Sequence, residues 1–257
     1  MDLITDTMRS LAFLSRISVL PAWFEGYDGR LADSVRGFPF AGVLLSLPAA
    51  AILILCRIVD LGDIATAILV VATLIMTTGA LHEDGLADVA DGFFGGRTTE
   101  RRLEIMKDSH IGSYGTLALI LIVLLRVILL GDILDEANLL QALLVLIATE
   151  AVSRGLLAKF WQVLPSARQG GVADTAGSPQ ESAANFALLS AIIAGAIAFG
   201  FAGGLLAIVL ATVLTALMFF GFSRLCQQKI GGYTGDTLGA AQQLATITLQ
   251  LGLVIAL

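Results

Sequence analysis

The sequence predicts an all-α, polytopic membrane protein, and three observations support this fold class. Hydrophobic residues make up 57% of the 257 positions and charged residues only 14%, whereas soluble proteins carry about 25% charged residues. The mean hydropathy is +0.89. Several apolar runs approach the roughly 20 residues that a helix needs to cross a lipid bilayer. We therefore expect a membrane-embedded bundle of about six or seven transmembrane helices.

An amphipathic stretch precedes the candidate transmembrane segments. Residues 3–20 mix apolar side chains with Asp6, Arg9 and Arg16, which is typical of a helix that lies at the membrane surface. No linker divides the chain, so we expect residues 1–257 to form a single membrane-embedded domain. The predicted transmembrane segments are residues 38–57, 63–82, 113–131, 139–160, 184–203, 205–224 and 239–257.

The basic residues predict the orientation in the membrane. If the segments alternate, one side receives nearly all of the lysines and arginines, and the positive-inside rule makes that side cytoplasmic. The opposite loops hold mainly acidic residues. The net charge of −6 disfavours a nucleic-acid partner. The basic residues on the predicted cytoplasmic side are Arg9, Arg16, Arg30, Arg36, Arg97, Arg101, Arg102, Lys107, Lys159, Arg168, Arg224 and Lys229.

Negative charge is concentrated in the stretch LHEDGLADVADGFFGGR, residues 81–97. Asp84, Asp88 and Asp91 are spaced i, i+4 and i+7, which places them on one stripe of a helix, where like charges repel. A divalent cation neutralises such a group, and oxygen ligands favour Mg²⁺, Mn²⁺ or Ca²⁺ over zinc. We predict a Mg²⁺ site formed by these three residues, with Glu83 as a further candidate ligand. Alternatives are a solvated acidic loop and, for Glu83, an exposed interfacial charge.

Positive charge follows in GGRTTERRLEIMKDSHIGSYG. Arg97, Arg101, Arg102 and Lys107 form a candidate phosphate-binding group, because arginine in particular matches phosphate oxygens with paired N–H donors. The alternatives are membrane orientation and a salt bridge from Arg101 to a nearby glutamate. Asp108 is a further candidate for substrate binding, as a ligand, a base or a helix cap.

Three other segments contribute candidate site residues. In KIGGYTGDTLGAAQQL, Gly232, Thr234 and Gly235 could bind an anion through backbone N–H groups, and Asp236 adds a carboxylate; a capped turn between helices is the alternative. Arg154 could face the site or, as we favour, pair with Glu150 at i, i+4. The loop QVLPSARQGGVADTAGSPQES has the length of a lid; its candidates are Arg168, Gly170, Gly171 and Asp174.

Four segments together resemble one known family. HEDGLADVADG, RRLEIMKDSHIGSYG, AVSRG and GGYTGDTLGAA are similar, in the same order, to the cobalamin synthase family, the adenosylcobinamide-GDP ribazoletransferases. The resemblance implies a Mg²⁺-dependent integral membrane enzyme of bacteria or archaea. It also implies that adenosylcobinamide-GDP is joined to α-ribazole or its 5′-phosphate with release of GMP. A bacterial inner-membrane location with a cytoplasmic active face is then expected.

The resemblance also suggests roles for the candidate residues. A metal held by Asp84, Asp88 and Asp91 would contact the diphosphate, and Asp91 or Asp236 would remove the proton of the attacking hydroxyl. The basic group from Arg97 to Lys107 would bind phosphates. The lipid bilayer is an expected partner, and a homo-oligomer is left open.

Three other functions remain as alternatives. A CDP-alcohol phosphotransferase also uses membrane aspartates and Mg²⁺, but after DVADG the rest of its motif does not follow. An aspartate-rich prenyltransferase would need a second acidic repeat. A secondary transporter could couple cations to intramembrane acids, although it should show inverted repeats.

Overall fold

The computed structural model describes residues 2–168 and 176–257, and helices make up nearly all of it. This confirms the prediction of an all-α protein with several long apolar helices. Within the described ranges there are two 3₁₀ helices, Pro21–Phe24 and Leu31–Gly37, which precede the second α-helix. The α-helices are α1 (Leu3–Leu14), α2 (Phe38–Ile58), α3 (Asp63–Thr78), α4 (Leu81–Gly95), α5 (Thr99–Ile105), α6 (Ser113–Glu136), α7 (Leu139–Val163), α8 (Glu181–Ile230) and α9 (Gly235–Val254).

Four stretches of the described chain are long and apolar enough to cross a membrane, namely Leu31–Ile58, α6, α7 and α8. A fifth crossing is obtained if α3 and α4 are taken together as one broken segment. The outer faces of these helices are apolar. On α6, for example, Leu121 is 59% exposed and Ile128 is 49% exposed, as expected for side chains that contact lipid.

Helix α8 folds into a hairpin, and its two arms correspond to the predicted segments 184–203 and 205–224. Its 50 residues would form a rod of about 75 Å if they were straight. Gly203 and Gly204 leave helical geometry, and Gly204 has a φ of 68°. Lys159 near the end of α7 bonds Asn185 on the first arm, while the neighbouring Phe160 stacks on Phe222 of the second. Both arms therefore run along α7, and the predicted boundary between residues 203 and 205 is confirmed.

The chain bends sharply between α3 and α4, where the sequence predicted an uninterrupted segment over 63–82. That prediction was wrong: α3 ends at Thr78, and α4 starts at an angle of 87° to it. Gly79 and Ala80 both adopt left-handed backbone conformations, with φ of 65° and 58°. Arg16 fills the bend, since its backbone N–H donates to Thr77 O at 2.7 Å and its side chain packs on Gly79.

Helix α9 lies inside the bundle, packed against α4, α6, α7 and α8. It is not among the helices apolar enough to span a membrane, so the segment predicted over 239–257 is not supported. Polar side chains lower the hydropathy of this helix, and these side chains face protein rather than lipid. Gln242, Gln243, Thr246 and Gln250 are each 4% exposed or less. This helix brings hydrogen-bonding groups to the centre of the bundle.

Candidate functional site

Helix α4 carries the acidic residues, and they differ in exposure. Asp84 is exposed and Asp88 is half-buried, whereas Glu83 and Asp91 are buried. The helical spacing expected for Asp84, Asp88 and Asp91 is confirmed, since all three lie within Leu81–Gly95. Neither Asp84 nor Asp88 has a side-chain hydrogen bond or ion pair within residues 2–168 and 176–257. Their carboxylates are therefore available to a ligand.

The N-terminus of α9 packs against α4 at His82 and Gly85, next to these two aspartates. A Cβ atom on Gly85 would lie 2.7 Å from the backbone oxygen of Asp236, and one on Gly239 would lie 3.1 Å from the Cα of His82. Two glycines, one on each helix, thus permit a backbone-to-backbone approach that a larger residue would prevent. The consequence is that Asp236 stands beside Asp84 and Asp88. We call these three residues the acidic cluster.

The loop before α9 is held by its own hydrogen bonds and by a neighbouring strand-like segment. Thr234 caps α9 and forms a capping box with Thr237, as the alternative interpretation of this loop expected. The N–H of Tyr233 donates to Pro165 O at 2.8 Å, and the N–H of Ala167 donates to Tyr233 O at 2.9 Å. This pairing packs Gly232 tightly against Pro165. It also brings Arg168, which directly follows Ala167, to the acidic cluster.

Arg168 supplies positive charge to the acidic cluster. It interacts electrostatically with both Asp88 and Asp236. One of its terminal nitrogens donates to Leu103 O at 2.7 Å, while its Nε is buried with no partner in the described part of the chain. A buried N–H without an acceptor is unfavourable, so this group favours a bound acceptor. Gly170, Gly171 and Asp174, which the sequence offered from the same loop, lie outside the described residues.

Asp236 has an altered acidity. Burial raises the pKa of its carboxyl, and the neighbouring Asp84 carboxylate adds to the rise. The Arg168 guanidinium and the Thr234 hydroxyl, which donates to Asp236 Oδ2 at 3.2 Å, oppose it. A carboxylate with a raised pKa is a stronger proton acceptor than a solvated one, so Asp236 suits the role of a base.

Asp91, predicted as a metal ligand and as a candidate base, is already engaged. Its Oδ2 accepts the N–H of Gly112 at 2.6 Å, and its Oδ1 accepts the N–H of Gly115 at 2.9 Å. These groups belong to the N-terminus of α6, where free N–H donors and the helix dipole favour a carboxylate. A Cβ on either glycine would collide with Asp91. These contacts favour a role in fastening α4 to α6.

Glu83, the other predicted ligand, points away from the acidic cluster. Its Oε1 accepts from Arg126 Nη1 at 2.8 Å and from Gln243 Nε2 at 3.0 Å, and its side chain is 7% exposed. The interpretation of Glu83 as an exposed charge was also wrong. Glu83 belongs to a set of buried charges inside the bundle.

Comparison with known proteins assigns the chain to a family. The sequence profile of the cobalamin-5-phosphate synthase family matches residues 6–254. The chain belongs to this family. It is 47% identical over 255 residues to the adenosylcobinamide-GDP ribazoletransferases of Brucella ovis, Brucella canis and Brucella melitensis, covering 99% of this chain and 98% of each relative. No solved structure matches. The resemblance to cobalamin synthases is therefore confirmed.

The basic residues of this family member do not form one group. Arg102 donates to three carbonyls, those of Gly96, Arg97 and Lys229, so it stabilises the connection between α4, α5 and the end of α8. Arg101 forms the expected salt bridge to Glu104 at 2.7 Å on the surface.

The remaining charged candidates also separate. Arg97 and Lys107 are exposed and keep their predicted phosphate-binding role untested. Asp108 accepts from the backbone of His110 at 3.0 Å, as a local turn would require. Arg154 is 1% exposed and pairs with Glu150, so the interpretation that we favoured is confirmed and Arg154 does not face the acidic cluster.

The carboxylates of α4 and α9 decide whether Mg²⁺ fits at this place. Among residues 2–168 and 176–257, no three His, Cys, Asp or Glu side chains converge closely enough to hold a metal ion. The predicted three-ligand set is therefore not preassembled. Donor chemistry nevertheless fits Mg²⁺, because proteins usually hold this ion with one or two carboxylates and leave the other positions to water and substrate phosphates. Asp84, Asp88 and Asp236 offer such oxygens.

The sequence offered Arg168 as a candidate but not Arg126, which lies in the apolar run of α6. The available signal for Arg126 was that a lone arginine inside a predicted transmembrane helix requires a buried partner.

Proposed function

We propose that this protein is an adenosylcobinamide-GDP ribazoletransferase of the bacterial cytoplasmic membrane, with its acidic cluster at the cytoplasmic side. The reaction joins adenosylcobinamide-GDP to α-ribazole or α-ribazole 5′-phosphate and releases GMP. The observation that carries the proposal is that Asp84 and Asp88 on α4 lie near Asp236 on α9, beside Arg168. The 47% identity to curated ribazoletransferases over nearly the whole chain supports the choice of substrates.

The reaction is a displacement at phosphorus. A ribose hydroxyl of α-ribazole forms a bond to the phosphorus that carries cobinamide, and the bond from that phosphorus to the oxygen of GMP breaks. Asp236 accepts the hydroxyl proton. The Arg168 guanidinium, with its unpartnered Nε, donates to phosphate oxygens. Arg97, between α4 and α5, and Lys107, just after α5, are exposed and attract the nucleotide phosphates.

Mg²⁺ is the cofactor in this proposal, and Asp84 and Asp88 would hold it. When bound, the ion offsets the charge of the diphosphate and of the departing GMP. Without an opposing cation, Asp84, Asp88 and Asp236 repel one another, and Arg168 balances only part of their charge. This imbalance is the physical reason to expect a divalent ion together with the substrate.

The decisive experiment uses purified protein in nanodiscs with adenosylcobinamide-GDP, α-ribazole 5′-phosphate and Mg²⁺. Release of GMP and formation of the corrinoid product are followed by chromatography, with and without EDTA. We expect metal-dependent product from the wild type and none from Asp88→Asn. Asp135→Asn, which removes an exposed carboxylate at the other end of α6, is the matched control and should keep full activity. Absence of product from well-folded wild type would reject the proposal.

A further inference from the structure

Arg126 lies in the middle of the apolar helix α6, and its side chain is only 3% exposed. An arginine within an apolar membrane-length helix is costly to bury unless it finds partners. The structure supplies three partners, each from a different helix. This makes Arg126 the point at which the helices that carry the acidic cluster are joined to the rest of the bundle.

The first group of partners is acidic and balances the charge. Arg126 Nη1 donates to Glu83 of α4 at 2.8 Å, and Nη2 lies 3.8 Å from Glu150 Oε1 of α7. Glu150 also accepts from Arg154. We call these four residues the buried ion network. It contains two negative and two positive charges, so it is neutral as a whole.

The third partner connects α9. Arg126 Nη1 donates to Gln243 Oε1 at 3.2 Å, and Gln243 Nε2 donates to Glu83 at 3.0 Å. Gln243 follows Asp236 by seven residues, which is two helical turns and the same face of α9. Glu83 directly precedes Asp84 in the chain. The guanidinium therefore holds a residue next to Asp84 and a residue two turns from Asp236.

Helix α4 is fastened to α6 at a second point. Near its C-terminal end, Asp91 accepts the N–H groups of Gly112 and Gly115. Asp84 and Asp88 lie between the two attachments, which are formed by Glu83 and Asp91. The carboxylates of α4 therefore have two roles. Glu83 and Asp91 bind α4 to α6, and Asp84 and Asp88 remain available to ligands.

We propose that Arg126 is a positioning residue, which sets the separation between the aspartates of α4 and Asp236 of α9. This inference rests on the proposed function of the acidic cluster. The planar guanidinium suits the task because its donors have fixed directions, which a lysine ammonium lacks. Displacement of reacting groups by about 1 Å can lower a rate by roughly 100-fold even when the mutation is remote.

The test compares three variants with wild type in nanodiscs, using the GMP-release assay with activity expressed per folded, monodisperse protein. Arg126→Gln removes the charge and leaves Glu83 unpaired. Arg126→Lys keeps the positive charge but loses the fixed donor directions of the planar guanidinium. The double variant Glu83→Gln with Arg126→Met removes both charges together, so that the bundle retains no unpaired ion even if the single variant fails to fold. Leu125→Ala, on the outward face of α6, is the matched control.

Positioning predicts a fall in kcat by roughly 10- to 100-fold in Arg126→Gln and in the double variant, with KM changed less than kcat. Arg126→Lys should recover part of the loss, and Leu125→Ala should equal wild type. A purely structural role predicts that activity follows the amount of folded protein. A kcat per folded protein within twofold of wild type in the double variant would overturn the inference.

A second readout separates this inference from the proposed function. Hydrogen exchange of the α4 amides, residues 81–95, should accelerate in the double variant while exchange in α2 stays unchanged, whether or not any substrate reacts. If wild type forms no GMP, the proposed function fails and the exchange result alone decides the positioning role. Unchanged exchange in α4 would then reject it.

Discussion

Two regions of this protein hold sets of charged residues that differ in charge balance and in burial. In the buried ion network, the side chains of two glutamates and two arginines are each 7% exposed or less and contact one another inside the bundle. In the acidic cluster, Arg168 is the one cation beside the three aspartates within residues 2–168 and 176–257, and the cluster is partly open to solvent. Balanced charges can be buried because hydrogen bonds and ion pairs replace water. Unbalanced charges leave free oxygens, so they indicate a place for a cation and a substrate.

The largest effect should follow from Asp236→Asn, which tests the unbalanced region. If Asp236 is the base, GMP release should fall by roughly 10²–10⁴-fold, while the protein remains folded.

The raised pKa of the Asp236 carboxyl gives a second expectation, which concerns stability. As the pH rises from the carboxyl's unfolded value through its folded value, the unfolded state ionises first and stability falls, so the asparagine variant should have a higher Tm than wild type at neutral pH. Equal activity would remove Asp236 from catalysis.

Glu150→Gln tests the balanced region by removing one charge from it. The variant leaves two arginines with only Glu83 as a counter-charge, and loss of one partner of a buried pair typically costs about 3–5 kcal/mol. We expect a large decrease in Tm in detergent. Removing Glu150 and Arg154 together, as Glu150→Gln with Arg154→Met, should restore much of it. A single variant as stable as wild type would show that the network contributes little to stability.

Asp91→Asn distinguishes fastening from catalysis on α4. As a cap on the N-terminus of α6, the carboxylate should contribute about 1 kcal/mol, and an asparagine oxygen can still accept one N–H. A moderate fall in Tm with at most a tenfold fall in activity is expected. Abolished GMP release at unchanged Tm would instead return Asp91 to the role of base or metal ligand. Ser113→Ala, at the exposed start of the same helix, serves as the control.

The smallest effect is expected at the surface pair of Arg101 and Glu104. Both side chains are more than half exposed, at 59% and 69%. Exposed pairs contribute about 0–1 kcal/mol. Arg101→Ala should therefore leave Tm nearly unchanged, and GMP release should stay within twofold of wild type at moderate salt. A large rise in KM for adenosylcobinamide-GDP would show that Arg101 binds phosphate, as its place in the sequence first suggested.

Composition and spacing determined the class of this protein and the position of its acidic helix. A long helix with high hydropathy is stable in lipid, so α2, α6, α7 and the two arms of α8 could be recognised from the sequence as apolar, membrane-length helices. The i, i+4, i+7 spacing of Asp84, Asp88 and Asp91 follows from helix geometry alone. The family resemblance was equally accessible, because each of its motifs is a short run of contiguous residues.

Tertiary structure decided what each charge does. Glu83 and Asp84 are neighbours in the chain, yet one contacts Arg126 inside the bundle and the other remains exposed. Asp236 joins Asp84 and Asp88 only because Gly85 and Gly239 allow two helices to touch. A sequence records the charge of a residue but not its distant partner. The partner decides whether that charge is neutralised or left free, because electrostatic energy depends on separation and burial.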